Sequence, residues 1–124
     1  MSEEKKANSV VTREAIIASA AKMKTERLTI EEWGGDVIIR ELTGKERDTI
    51  EAALLRGRDA NNFSNIRSKA VAKALIDENG NRLFDDNDIE LINNLSSNVI
   101  NTIFEAVNRI SGMGELGEED AAKN

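Results

Sequence analysis

The strongest constraint on the fold is the apolar pattern between residues 96 and 112. Apolar side chains recur there about every 3.6 residues, and most of the positions between them are polar or charged. The apolar positions are Val99, Ile100, Ile103, Phe104, Val107 and Ile110. The pattern predicts an amphipathic helix that begins after Ser96-Ser97 and ends at Gly112, where glycine favours a helix stop.

This apolar stripe has two interpretations. The simpler one is that it forms the domain core. The alternative is a surface that receives a partner helix, because Val99, Ile100, Ile103 and Phe104 span a wider arc than one neighbouring helix covers. The candidate partner-binding residues are Val99, Ile100, Ile103, Phe104, Val107 and Met113.

Weaker periodic stretches and start signals predict four further helices. They run from Thr12 to about Thr25, from Gly44 to Gly57, from Ser64 to Leu75, and from Asp85 or Asp86 to Leu95. The second follows the capping box Thr43-Gly44-Lys45-Glu46, in which the Thr43 hydroxyl and the Glu46 carboxylate satisfy each other's backbone N–H groups. In the first, an apolar stripe is expected from Ile16, Ile17, Ala20 and Met23. Residues 58–62 are predicted to form a loop.

Two short runs rich in β-branched residues, Leu28–Ile30 and Val37–Arg40, are joined through Gly34-Gly35. This pattern predicts a β-hairpin, since glycine takes the positive φ values that tight reversals require. Another strong reversal signal, Asp77–Asn81, separates Leu75-Ile76 from Arg82–Phe84. It predicts a second small hairpin or an extended turn.

With 124 residues, the chain has the length of one domain. The expected fold is mainly α with one or two small β-hairpins, an α+β class. A single compact helical domain over residues 12–114 is expected between a flexible N-terminal arm, residues 1–11, and a flexible acidic tail, residues 115–124.

Composition excludes several kinds of function. The sequence has no His, Cys or Tyr, so it offers no imidazole base, thiolate nucleophile or Cys/His zinc site. The net charge is −6 and basic residues do not cluster, which disfavours nucleic-acid binding. No apolar run approaches the roughly 20 residues that span a bilayer, and no signal peptide is apparent. We therefore expect a cytoplasmic protein without a metal, another cofactor or a membrane partner.

The carboxylates near residue 80 raise the alternative of a catalytic or calcium site. The spacing does not match an EF-hand loop, because Gly80 is fourth after Asp77 and the twelfth position is Asp88. Turn formation and helix capping account for these acids more simply. A carboxylate enzyme would instead require Asp77, Asp85 or Asp88 to be clustered and buried, so we expect no enzymatic activity.

Two blocks of the sequence carry a family resemblance. The first, residues 25–47, contains Trp33-Gly34-Gly35 and Arg40-Glu41; the second, residues 75–84, contains Asp77, Gly80 and the pair Leu83-Phe84. In their order and spacing they resemble the tail assembly chaperones of long-tailed phages and prophages. One departure is Glu31, where the family pattern has proline.

The resemblance implies a non-enzymatic protein that binds the tape measure protein in the host cytoplasm. Such proteins are thought to keep that long helical chain soluble until tail-tube subunits polymerise around it. A frameshift-extended form of many members also recruits the tail-tube protein, and self-association is left open. The competing interpretation is a structural tail component or a small protein–protein adaptor that remains in the virion.

Overall fold

The computed structural model describes residues 9–56 and 60–113, with side chains described outside 54–64. Within these ranges the elements are, in chain order, α1 (Arg13–Ala18), β1 (Thr25–Ile30), β2 (Gly35–Arg40), α2 (Gly44–Arg56), α3 (Ala60–Ala74), β3 (Leu75–Ile76), α4 (Ile89–Asn93) and α5 (Ser97–Ile110). Short 3₁₀ turns cover Ser19–Ala21, Glu31–Trp33 and Asp86–Asp88. The predicted α+β class, mainly helical with a small β component, is confirmed.

The strands form one antiparallel sheet in the order β1-β2-β3. The predicted hairpin is β1 and β2, with Leu28 opposite Val37 and Thr25 opposite Arg40. The second reversal makes the small hairpin or extended turn that was predicted: Arg82 forms an antiparallel bridge with Ile76, and the Leu83 N–H donates to the Leu75 carbonyl oxygen at 3.0 Å. Strand β3 also pairs with the edge of β2.

The two faces of the sheet differ in what covers them. Because side chains alternate along a strand, Ile30, Ile39 and Leu75 lie on the face that packs against the helices, and all three are buried in the main core. Ile38 and Ile76 lie on the opposite face. Ile76 is only 6% exposed although it does not belong to the main core cluster. This outer face therefore has apolar cover of its own.

The main core lies between α3, α5 and the inner face of the sheet. Helix α3 contributes small and branched side chains, with Ala70, Val71 and Ala74 fully buried. Small residues let α3 pack closely against α5, whose apolar stripe occupies the centre of the domain.

Both predicted capping signals form. The Thr43 Oγ1 accepts from the Glu46 backbone N–H at 3.1 Å, and a Glu46 carboxylate oxygen accepts from the Thr43 N–H at 2.9 Å. Asp85 likewise makes a capping box with Asp88 at the start of the 3₁₀ turn that leads into α4. These local contacts fix where α2 and the 3₁₀ turn begin.

Three predicted boundaries are wrong. Helix α1 ends at Ala18 and continues as a 3₁₀ turn only to Ala21, so it stops short of Thr25. Helix α3 already includes Ala60–Asn62, which were predicted as loop; asparagine is accepted in a first helical turn because the N–H groups there need no intrahelical partner. Helix α4 ends at Asn93. The predicted flexible arms fall largely on residues 1–8 and 114–124, outside the described residues.

Candidate functional site

The predicted partner-binding stripe is buried in the folded chain. Val99, Ile100, Ile103, Phe104 and Val107 are each at most 7% exposed, and Met113 packs half-buried against them. These side chains belong to the main core, where helix α3 and the sheet pack against α5. Their role in binding a partner stays a prediction.

Of the eight large apolar side chains that are exposed among the described residues, four lie at the N-terminal end. Val10, Val11, Ile16 and Ile17 are 92%, 64%, 59% and 56% exposed, and helix α1 has no buried residue. The predicted apolar stripe is therefore exposed at Ile16 and Ile17 within the described part of the chain. These four residues are named the N-terminal apolar surface.

The fold of this segment follows from local hydrogen bonds. The Thr12 Oγ1 caps α1 by accepting from the Ala15 backbone N–H at 3.1 Å. The Ser19 hydroxyl donates to the Ile16 carbonyl oxygen, and the Lys22 N–H closes the 3₁₀ turn onto the Ser19 carbonyl at 2.8 Å. Ile16 and Ile17 thus lie on a short helix, where both are more than half exposed.

A groove of about 430 Å³ opens where this segment meets the outer face of the sheet. It is lined by Ala20, Ala21, Met23, Thr25, Arg40, Thr43, Ile76, Asn79 and Gly80. Three separate stretches of the chain contribute: the segment before β1, the end of β2, and the turn after β3. This cavity is named the outer-face groove.

The first wall of the groove is clamped to the end of β2. The Glu41 carboxylate accepts from the Lys24 backbone N–H at 2.9 Å, and the Glu41 N–H donates to the Lys24 carbonyl at 2.9 Å. Two reciprocal bonds fix the backbone at Lys24, so Met23 and Thr25 are held beside the sheet.

Arg40 forms part of the groove floor and is neutralised by an internal partner. Its two terminal nitrogens each donate to a different Glu46 oxygen at 2.9 Å, and Nη1 also donates to the Glu41 carbonyl at 2.8 Å. Burial by itself raises the pKa of Glu46. The Arg40 hydrogen bond and the Thr43 N–H outweigh it, so the pKa of Glu46 lies below its usual value.

The second wall is the turn after β3. The Asp77 Oδ1 accepts from the Asn79 and Asn81 backbone N–H groups at 2.8 and 2.9 Å, and Gly80 has a φ of +88°. The Asn81 N–H chiefly, with the Asn79 N–H, lowers the pKa of Asp77. The turn is stabilised by backbone contacts, with a glycine at the position that needs a left-handed conformation.

The structure separates the residues of the family signature. Arg40 and Gly80, from different blocks of the sequence, line the same groove, Glu41 clamps one wall and Asp77 the other. Trp33, Gly34 and Gly35 lie at the opposite end of the β1–β2 hairpin, where Gly34 has a φ of +77° and Trp33 is 40% exposed. Leu83 is exposed, and Phe84 packs half-buried on the core.

The acids considered for catalysis have structural partners. Asp85 and Asp88 cap a helix, and Asp77 holds a turn. Within residues 9–56 and 60–113, no three His, Cys, Asp or Glu side chains converge in a way that could hold a metal ion. No helix in the same part of the chain has the length and apolarity to cross a bilayer.

The sequence analysis did not identify Val10, Val11 or the outer-face groove as parts of a candidate site. Val10 and Val11 precede the predicted helix and carry no periodic signal, and the groove forms only when distant stretches meet. The apolar character of Ile16 and Ile17 is visible in the sequence, but their exposure in the folded chain is not. An apolar side chain at helical spacing gives no information on whether a neighbour is present to cover it.

Comparisons with known proteins identify the family of this chain. A family model described as phage tail assembly chaperone matches residues 11–124. A solved structure, that of the tail assembly chaperone of bacteriophage HK97, matches with a TM-score of 0.64 at 15% sequence identity, covering 79% of this chain and 94% of that one. A comparison with curated protein sequences finds no match. The HK97 likeness supports the fold, and the family match over nearly the whole chain shows that it belongs to the phage tail assembly chaperone family.

Proposed function

We propose that the protein binds the tape measure protein and keeps it soluble in the host cytoplasm during tail assembly, without catalysing a reaction. The observation that carries this proposal is the N-terminal apolar surface, whose four residues are 56% to 92% exposed. It lies beside the outer-face groove, whose lining includes Ala20, Ala21, Met23 and Ile76. Exposed apolar patches of this kind are typical of interaction sites.

The physical requirements of such a chaperone are modest. It needs apolar side chains to cover a client, and a net charge that keeps the complex from aggregating; this chain has a charge of −6. By binding the unassembled client, the protein lowers the free concentration of aggregation-prone chain through mass action. The apolar residues of α5 stay buried in the core and stabilise the fold.

The client contact is assigned to α1 and the outer-face groove. A helical client laid against Ile16 and Ile17 covers apolar area that the folded chain leaves in water, and the adjacent groove accepts a protruding side chain. Each isoleucine that becomes fully buried contributes about 1.5–3 kcal/mol. Two such residues are enough to affect client binding strongly.

The test is co-expression with the tape measure protein encoded by the same phage or prophage. We expect the tape measure protein to be soluble with the wild-type chain and mostly insoluble with the Ile17→Asp variant, because an aspartate at the contact lowers affinity at least about tenfold. Leu91→Asp is the matched control, since Leu91 on α4 is 60% exposed and lies outside the surface. It should keep the client soluble.

Thermal unfolding of the purified variants checks that both retain the fold. A tape measure protein that is equally soluble with and without this chain contradicts the chaperone proposal. Mass spectrometry of purified virions addresses the structural alternative, because a tail component retained in the particle is present at stoichiometric amounts and a chaperone is absent.

A further inference from the structure

The second wall of the outer-face groove contains an asparagine in a chemically reactive sequence. Asn79 lines the groove and is followed by Gly80, and this is the only Asn-Gly pair in the sequence. Both residues are exposed, and the space beside the Gly80 Cα is open. The backbone nitrogen that follows an asparagine can attack the side-chain amide, and glycine hinders this attack least because it has no Cβ. The pair is therefore accessible to spontaneous deamidation.

The conformation of the turn opposes this reaction. Asp77–Gly80 form a type I turn, because the Gly80 N–H donates to the Asp77 carbonyl at 3.0 Å and no described residue other than glycine has a positive φ. In such a turn the ψ of Asn79 is about 0°, and closing a five-membered ring through its Cβ needs a rotation of roughly 120° about the Cα–C bond. The Gly80 nitrogen must therefore leave its hydrogen bond before it can react.

The Asp77 side chain holds the same backbone on both sides of the reactive bond. Its Oδ1 accepts from the Asn79 and Asn81 backbone N–H groups at 2.8 and 2.9 Å. The rotation that brings the Gly80 nitrogen to the Asn79 side chain displaces these N–H groups from Oδ1. Ring closure thus requires local opening of the turn, and the Asp77 carboxylate stabilises the closed form.

We propose that Asn79 is a deamidation site whose rate is set by the Asp77 turn. When the turn opens, the Gly80 nitrogen forms a bond to the carbon of the Asn79 side-chain amide, and the C–N bond of that amide breaks. The leaving nitrogen takes the proton of the Gly80 N–H and departs as ammonia, which leaves a cyclic imide. Water then opens the imide at either of its two carbonyls and gives aspartate or isoaspartate, each with one new carboxylate.

The product changes the groove wall in charge and in shape. The new carboxylate follows Asp77 and Glu78 in the chain, and the Glu41 carboxylate is bound at the first wall, so the groove becomes more acidic. Isoaspartate also routes the backbone through the former side chain and lengthens it by one carbon. The N–H groups that donate to Asp77 Oδ1 are then displaced, and the second wall no longer keeps its conformation.

The experiment follows deamidation in the full-length protein, held at constant temperature in mildly alkaline buffer. Tryptic digestion releases residues 74–82, and tandem mass spectrometry locates the change from amide to carboxylate at each asparagine. A synthetic peptide of the same residues gives the rate without the fold. Asn79 should react in both, and about tenfold more slowly in the folded protein, because the hydrogen bonds of the turn must break before the ring closes.

Substitution of Asp77 tests whether the turn sets the rate. Asp77→Ala removes both bonds to Oδ1 and should speed deamidation of the folded protein at least about fivefold, while the same substitution in the peptide should leave the rate unchanged. Asp85→Ala is the matched control, because the Asp85 Oδ1 accepts from the Asn87 N–H at 2.8 Å in a different turn. It should leave the rate at Asn79 unchanged. Circular dichroism verifies that the variants are folded.

Three results overturn the proposal. They are an intact Asn79 in the folded protein after the peptide has fully reacted, equal rates in the folded protein and the peptide, and no acceleration by Asp77→Ala. Deamidation at Asn79 that is slower in the folded protein, and that Asp77→Ala accelerates but Asp85→Ala does not, supports it.

Discussion

Helices α1 and α5 both carry apolar side chains and differ completely in their burial. Ile103 on α5 has no exposed surface, whereas Ile17 on α1 is 56% exposed. Helix α5 contacts α3 and two strands, while α1 has no buried residue. The period of the apolar residues thus specifies the helix, and the presence of neighbouring elements decides whether its apolar face stabilises the fold or remains available to a partner.

The largest expected effect is the difference in unfolding free energy between a substitution in α5 and one in α1. Ile103→Ala should lower the free energy of unfolding by about 2–5 kcal/mol, because it removes buried methyl groups and leaves a cavity. Ile17→Ala should change it by no more than about 0.5 kcal/mol, since the side chain is already largely in water. Urea unfolding followed by circular dichroism measures both. Similar losses for the two variants contradict the difference in burial.

Much of the core could be predicted because its signals are local. The α5 stripe, the Thr43 capping box and the Gly34-Gly35 hairpin each lie within a few consecutive residues, and each forms as predicted. The boundaries of α1, α3 and α4 were less accurate. Helix ends depend on capping and tertiary contacts that a short window of sequence only partly contains.

The candidate site could not be predicted in the same way. The outer-face groove joins residues near 20–25, 40–43 and 76–80, and only pairing of β2 with both β1 and β3 brings them together. Family resemblance selected Arg40 and Gly80, yet nothing in either motif indicated that they share a cavity. The exposure of Ile16 and Ile17 could not be predicted either, because it depends on which elements pack against α1, and in the described part of the chain α1 has no buried residue.

A second, smaller effect concerns the ion pair between Arg40, which lines the groove, and Glu46 on α2. Glu46→Gln should reduce stability at neutral pH by about 1–2 kcal/mol, since it replaces charge-assisted hydrogen bonds to a half-buried Arg40 while a glutamine can still cap Thr43. Glu51→Gln is the control on the same helix. Its pair with Arg47 is more exposed and should contribute less than about 1 kcal/mol.

The pH dependence of this pair has a definite sign. The pKa of Glu46 in the folded chain lies below its ordinary value of 4.5, so the stability it contributes is complete above that pH. It is lost as the pH falls through the lower, folded pKa. The stability difference between wild type and Glu46→Gln, measured by urea unfolding from pH 7 to pH 3, should therefore shrink below about pH 4.5. A constant difference across this range contradicts a role for the charged carboxylate.

The smallest expected effect comes from substituting the N-cap residues of α5 and α1. The Ser96 Oγ accepts from the Val99 N–H at 3.4 Å, and the Thr12 Oγ1 accepts from the Ala15 N–H at 3.1 Å. Ser96→Ala should lower global stability by about 0.5–1 kcal/mol, because α5 unfolds only with the core. Thr12→Ala should leave global stability unchanged although its cap bond is shorter, since α1 opens without disturbing the core.

Hydrogen exchange distinguishes these two outcomes at single amides. Thr12→Ala should speed exchange at Ala15 and leave Val99 unaffected, and it should weaken client binding only a few-fold, because a less populated helix presents Ile16 and Ile17 less often. If Thr12→Ala instead lowers global stability as much as Ser96→Ala, α1 belongs to the cooperative core. Its isoleucines are then not free to cover a client, and the contrast between the two helices does not hold.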